Sequence, residues 1–102
     1  MKMLTIICRE GFKDMLLNIF ATQEITGYTV IRGAGGRGVT GTVPPGTLGL
    51  TDHNMLFLVA LDNDQMTTLV TALKQLHAEL VTENSGHEVA LKGFLQPCEG
   101  IL

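Results

Sequence analysis

Residues 54–81 read NMLFLVALDNDQMTTLVTALKQLHAELV, and this stretch decides the fold. Asn54–Leu61 is an almost unbroken apolar run of strand length. Asp62-Asn63-Asp64-Gln65 follows with helix-starting side chains, and Asp62 with Gln65 three residues on forms a variant capping box. Met66, Leu69, Val70, Leu73, Leu76 and Leu80 then recur at helical spacing, which predicts a helix over 64–81. Downstream, Glu83-Asn84-Ser85-Gly86 ends that helix, Val89–Leu95 reads as a strand, and Pro97 closes it. Upstream, Met3–Cys8 is a short β-rich run. Phe12, Met15, Leu16, Ile19 and Phe20 predict a helix ending near Gln23, and the β-branched Ile25–Ile31 predicts a second strand.

The order is therefore β-α-β-β-α-β over one domain, residues 1–102. This is the ferredoxin-like arrangement, a four-stranded antiparallel sheet with both helices on one face. Such a sheet should alternate apolar and polar residues along each strand. Met55-Leu56-Phe57-Leu58-Val59-Ala60-Leu61 does not alternate, so its second face also calls for burial. The chain has no spare helix for that task. A homo-oligomer whose sheets face inward is the expected solution.

Between the second and third strands lies a loop of 19 residues, Gly33–Thr51, which exceeds the ~12–15 residues above which loops are usually functional or disordered. Seven of the 12 glycines fall between Gly33 and Gly49, and Pro44-Pro45-Gly46 gives a stiff elbow. No Asp or Glu occurs from Ile25 to Thr51, whereas Arg32 and Arg37 do. Glycine lets successive backbone N–H groups turn toward one point, and such a nest accepts phosphate or carboxylate. The base of this loop, with Arg37 between Gly36 and Gly38, is the candidate anion site. Arg32 reads as an exposed or intersubunit charge, and Arg9 as a surface charge within reach of an intersubunit cleft. Lys92 lies mid-strand between Leu91 and Phe94, so it must face solvent, a carboxylate or a ligand.

Composition excludes several other classes. Hydrophobic residues are 45% and charged residues 17% of the chain, which favours a folded domain. The net charge of −3 opposes nucleic-acid binding, which needs a basic face, and five aromatics without Trp offer no base-stacking platform. Cys8 and Cys98 read as free thiols in a reducing compartment. MKMLTIICREGFKD carries too short an apolar run for a signal peptide, and no stretch approaches the ~20 apolar residues of a membrane span. A cytoplasmic protein without membrane insertion is expected. His53, His77 and His87 are not at metal-site spacing, so no metal site is expected. No nucleophile–base set is evident, and catalysis is not expected.

Residues 25–38, ITGYTVIRGAGGRG, resemble the second strand and loop base of the PII signalling proteins, where a threonine-glycine-x-threonine strand enters a glycine-rich loop. Ala90-Leu91-Lys92-Gly93-Phe94-Leu95-Gln96-Pro97 is similar to that family's lysine-bearing fourth strand. The resemblance covers nearly the whole chain. It implies a trimer that binds adenine nucleotides between subunits and controls a partner protein through a mobile loop, here residues 34–51. Carried over, Gly27, Tyr28 and Thr29 would lie by the adenine and ribose. Gly33, Gly35, Gly36, Arg37 and Gly38 would form the phosphate-binding base, and Lys92 would reach the phosphates.

The departures narrow the resemblance to the divergent PII-like branch. Glu88-Val89-Ala90-Leu91 replaces the usual glycine-aspartate-glycine, and the sequence closes on Ile101-Leu102 without the family's arginine pair. The loop is short and carries no tyrosine. Fewer cations favour ADP or AMP over ATP. The branch includes proteins that accompany bicarbonate transporters or carboxysomes, so bicarbonate is an expected second ligand, and a transporter or enzyme the expected partner. The rival readings are a metal-binding or metal-tolerance oligomer of related fold using Cys8, Cys98 and the histidines, a nitrogen-regulatory PII protein, and a small ferredoxin-like enzyme.

Overall fold

The computed structural model describes residues 1–38, 41–43 and 53–102. The first strand, β1 (Lys2–Arg9), buries Leu4, Ile6 and Cys8 and leaves Met3, Thr5 and Ile7 half-buried on its other side. A 3-10 turn, Glu10–Phe12, leads into α1 (Lys13–Thr22), whose Leu16 and Phe20 lie one turn apart and are buried. The helix ends in a Schellman closure. The Ile25 N–H donates to the Phe20 carbonyl at 2.8 Å and the Glu24 N–H to that of Ala21 at 3.1 Å, with Glu24 left-handed at φ 57°.

This closure corrects the sequence reading of the second strand. Ile25 is drawn into the core as the apolar residue of the helix stop, so β2 starts at Thr29 and runs to Ala34. β2 pairs antiparallel with β5 (Asn54–Leu61) through Thr29↔Leu58, Val30↔Phe57 and Ile31↔Leu56. Its next partner is Ala34↔Asn54, so β2 spends three steps where β5 spends two. The extra residue is a bulge with Gly33 at φ 68°, a conformation that costs other residue types about 1–2 kcal/mol.

The expected long loop is in part a two-stranded ribbon. β3 (Gly36–Gly38) pairs with β4 (Gly41–Val43), with Arg37 opposite Thr42. Residues 33–51 read from the sequence as loop; over this ribbon strand backbone continues past the bulge instead. The Pro44-Pro45-Gly46 elbow lies outside the described residues.

Asp62 caps α2 (Asn63–Glu83), its Oδ1 accepting from the Gln65 N–H at 2.8 Å. Met66, Leu69 and Leu80 are buried, and Val70, Leu73 and Leu76 are half-buried against the core. A second Schellman closure stops the helix, with the Gly86 N–H donating to the Val81 carbonyl at 2.8 Å. β6 (Leu91–Pro97) starts two residues later than expected. The Leu91 N–H turns back to the Val89 carbonyl at 2.8 Å, a tight turn that keeps Val89 out of the ladder although it is buried.

The sheet order is β2-β5-β1-β6, with every neighbouring pair antiparallel. This is the expected ferredoxin-like fold. The helices cover the face carrying Leu4, Ile6, Met55, Phe57 and Val59. Phe20 packs edge-on against Phe57 at 5.6 Å between ring centroids, joining α1 to the sheet. Strand register places Ile31, Leu56, Leu58, Ile7, Thr5 and Phe94 on the opposite face, where Ile31 is 46% and Phe94 58% exposed. The apolar run of β5 is thus resolved into two faces. Met55, Phe57 and Val59 are fully buried, whereas Leu56 and Leu58 lie on the uncovered face. No described helix is long and apolar enough to cross a membrane.

Glu24 occupies a position that glycine adopts freely. Glu24→Gly removes about 1–2 kcal/mol of left-handed strain against about 0.5–1 kcal/mol of added chain entropy, so the urea midpoint should rise. A lowered midpoint would show that the Glu24 side chain contributes more than its backbone costs.

Candidate functional site

One end of the sheet gathers the chemistry-bearing residues. Ala34 of β2 stands opposite Asn54 of β5, and Asn54 opposite Arg9 of β1. The Arg9 N–H donates to the Ala90 carbonyl at 3.0 Å, and the Glu10 N–H to the His53 carbonyl at 2.6 Å. These bonds tie the end of β2, the start of β5, the end of β1 and the α2–β6 turn into one rim.

The glycine run sits at the β2 side of this rim. Gly33 forms the bulge, Gly35 links β2 to β3, and Gly36, Arg37 and Gly38 make β3. The Asn54 Nδ2 lies 3.6 Å from where a Cβ on Gly36 would stand, so the amide of Asn54 rests beside this backbone. Arg37 is exposed. The bulge matters because it redirects the strand into the hairpin and so sets where the guanidinium is presented.

His53 is 9% exposed, and neither ring nitrogen has a hydrogen-bond partner among the described residues. An unsatisfied buried donor costs about 1–3 kcal/mol, so a polar species at the rim would be favoured by this imidazole. His53 and Asn54 are the rim residues that sequence reasoning missed, whereas Arg9 was expected within reach of a cleft. The one signal was the polar pair His53-Asn54 at the threshold of an otherwise apolar strand.

The remaining site candidates lie apart from the glycine run. Gly27 and Tyr28 precede β2, and Thr29 begins it, five residues or about 17 Å of strand from Ala34. Tyr28, expected within the strand, instead caps the aromatic cluster, with its ring 5.0 Å from Phe20 and 6.3 Å from Phe57. Lys92 lies on β6, at the opposite edge of the sheet from β2. Three interstrand steps separate the two edges, about 14 Å, so one chain does not bring Lys92 and the glycine run to a common atom. Lys92 is exposed and pairs with Glu88, Nζ to Oε2, at 3.5 Å.

The two cysteines are badly placed to share one ion within one chain. Cys8 stands opposite Leu91, and Cys98 follows Pro97, which pairs with Lys2. They flank opposite ends of the β1–β6 ladder, roughly 20 Å apart. Among the described residues, no group of three His, Cys, Asp or Glu side chains is assembled as a metal site.

The sequence matches the family described as nitrogen regulatory protein P-II over residues 1–87. The chain belongs to the P-II family. The matched region holds the glycine run of β2 and β3 and stops before β6.

Solved structures of CPII, a nitrogen regulatory PII-like protein from Thiomonas intermedia K12, share the PII-like fold. The form bound to ADP, AMP and bicarbonate superposes with a TM-score of 0.73 at 18% identity, over 93% of this chain and 82% of that one. The form bound to ADP and bicarbonate gives 0.69 at 19% identity over 93% and 82%. The apo form gives 0.64 at 14% identity over 93% and 85%. No curated protein matches the sequence.

The exposed Lys92–Glu88 pair contributes little to folding, because surface pairs are worth about 0–1 kcal/mol. Lys92→Met should therefore shift stability by about 0.5 kcal/mol or less in urea titration. A larger loss would mark Lys92 as a structural residue rather than one free to serve a ligand.

Proposed function

We propose that this chain is a PII-like regulator, not an enzyme, that binds ADP or AMP at clefts between protomers of a homotrimer. The observation that carries this reading is the bulged glycine rim, which carries the exposed Arg37 where no acid occurs from Ile25 to Thr51. CPII, of the same fold, was solved with ADP, AMP and bicarbonate bound, which supports the same ligands here.

Sheet geometry supports an intersubunit location. β2 and β6 are opposite edges, so a cleft uniting the glycine rim, Gly27–Thr29 and Lys92 needs two protomers. The bare apolar face supplies the driving force for assembly, since burying each Å² of apolar surface gains about 25 cal/mol. Lys92 would exchange Glu88 for phosphate. The buried His53 supports a small oxyanion, such as bicarbonate, as second ligand.

Nucleotide at the rim would fix the ribbon of β3 and β4 and, through it, the remainder of 34–51, which would then engage or release a partner. The ligand can shift that equilibrium only by its differential affinity for the two states. We place the protein in the cytoplasm, in inorganic-carbon metabolism, with a transporter or enzyme as partner.

Calorimetric titration with ADP, AMP and ATP, each with and without bicarbonate, tests the reading. Saturable binding of ADP or AMP, tighter than ATP, is expected, and no heat at millimolar nucleotide would overturn it. Arg37→Ala should weaken binding by about tenfold to a hundredfold, the loss of a charged hydrogen bond, while light scattering still reports a trimer. Leu58→Asp places a charge on the bare face between Thr5 and Thr29. It should yield monomers and abolish nucleotide binding; a trimer that binds normally would show that the sheets do not pack on this face.

A further inference from the structure

We propose that the groove between α2 and β6 binds an aliphatic carboxylate, head toward His77 and chain toward Leu95. The groove encloses about 520 Å³, within the ~300–1,000 Å³ typical of small-molecule sites. It lies on the helix-covered side of the sheet, opposite the bare face, and away from the glycine rim. Leu4 and Ile6 floor it, and Leu91 and Leu95 line its strand wall. Val70, Leu73, Lys74 and His77 line its helix wall at spacings of three and four residues, one stripe of α2.

Polarity is graded along the groove. β5 and β6 both run antiparallel to β1, so they run the same way, and α2 between them returns in the opposite sense. Val70 and Leu95 therefore share one end, and His77 and Leu91 the other. The stripe passes from Val70 and Leu73 to Lys74 and His77, from apolar to basic. Among the described residues lining the groove none is acidic, on a protein of net charge −3.

Gly93 supplies the depth. Glycine weakens a strand interior and often marks the close approach of a ligand. Here no local demand explains it. Its φ is not in the left-handed region, its ladder partner Ile6 is in regular register, and an added Cβ would meet only Leu4 Cδ1 at an ordinary 3.8 Å. A side chain at 93 would fit the fold and fill the groove. An occupant with an apolar body and an anionic head accounts for the empty strand position, the apolar end and the basic end together.

The test is titration of sodium decanoate into the full-length protein, read by amide chemical shifts. Saturable shifts confined to residues 70–77 and 91–95 are expected. Gly93→Val should retain a native spectrum and bind about tenfold more weakly or worse, as overfilling a packed site requires. Gly93→Ala serves if the valine does not fold. Lys74→Gln with His77→Gln should weaken decanoate but leave decanol unchanged, which separates the head contact from general adhesion. Three results would overturn the proposal: no groove shifts at millimolar decanoate, equal binding by Gly93→Val, or contacts from a second copy already filling the groove.

Discussion

The pairing of β1 with β5 is the constraint on which the rest of the molecule depends. All eight residues of β1 find partners on β5, from Lys2↔Leu61 to Arg9↔Asn54, and both strands lie in the interior of the sheet. Because side chains alternate across a sheet, this single register sends Leu4, Ile6, Phe57 and Val59 to the helices and Thr5, Ile7, Leu56 and Leu58 to the other side. A slip of one residue would exchange the two sets. Phe20 and Leu69 close over the first set, and no described helix closes over the second.

The same register builds the rim. Arg9 and Asn54 end the central pair together, so the segments that leave them must diverge from a common line. Upstream of β5 lie His53 and the glycine ribbon; downstream of β1 lies the tight turn into α1. The bond from Arg9 to Ala90 then brings in the α2–β6 turn. Arg9 and Ala90, 81 positions apart in sequence, thus meet at one end of the sheet through a backbone hydrogen bond. The glycine bulge redirects the chain at this line, and it needs Gly33 because the conformation is left-handed.

The two outer strands divide the candidate site residues. β2 carries the glycine run and β6 carries Lys92, with two strands between them. A ligand large enough to use both must bridge molecules, which links recognition to assembly. The inner side of β6 is different again, since Val70 and Leu73 of α2 are only half-buried beside Gly93. A strand interior that omits a side chain, with a basic helix stripe above it, is a feature of this chain's own residues.

Local sequence was sufficient for the elements. Apolar spacing marked both helices, the Asp62 cap marked the start of the second, and the βαββαβ order identified the topology, because these are near-neighbour effects. It misplaced the starts of β2 and β6, since Ile25 and Val89 are β-branched and apolar yet are consumed by a helix closure and a tight turn. The glycine run was legible as one cluster because its residues are contiguous. The company of Arg9, His53 and Asn54 was not, nor was the edge-to-edge separation of Lys92 from that cluster. Those relations are set by strand order and register, which join residues distant in the chain and which no local pattern encodes.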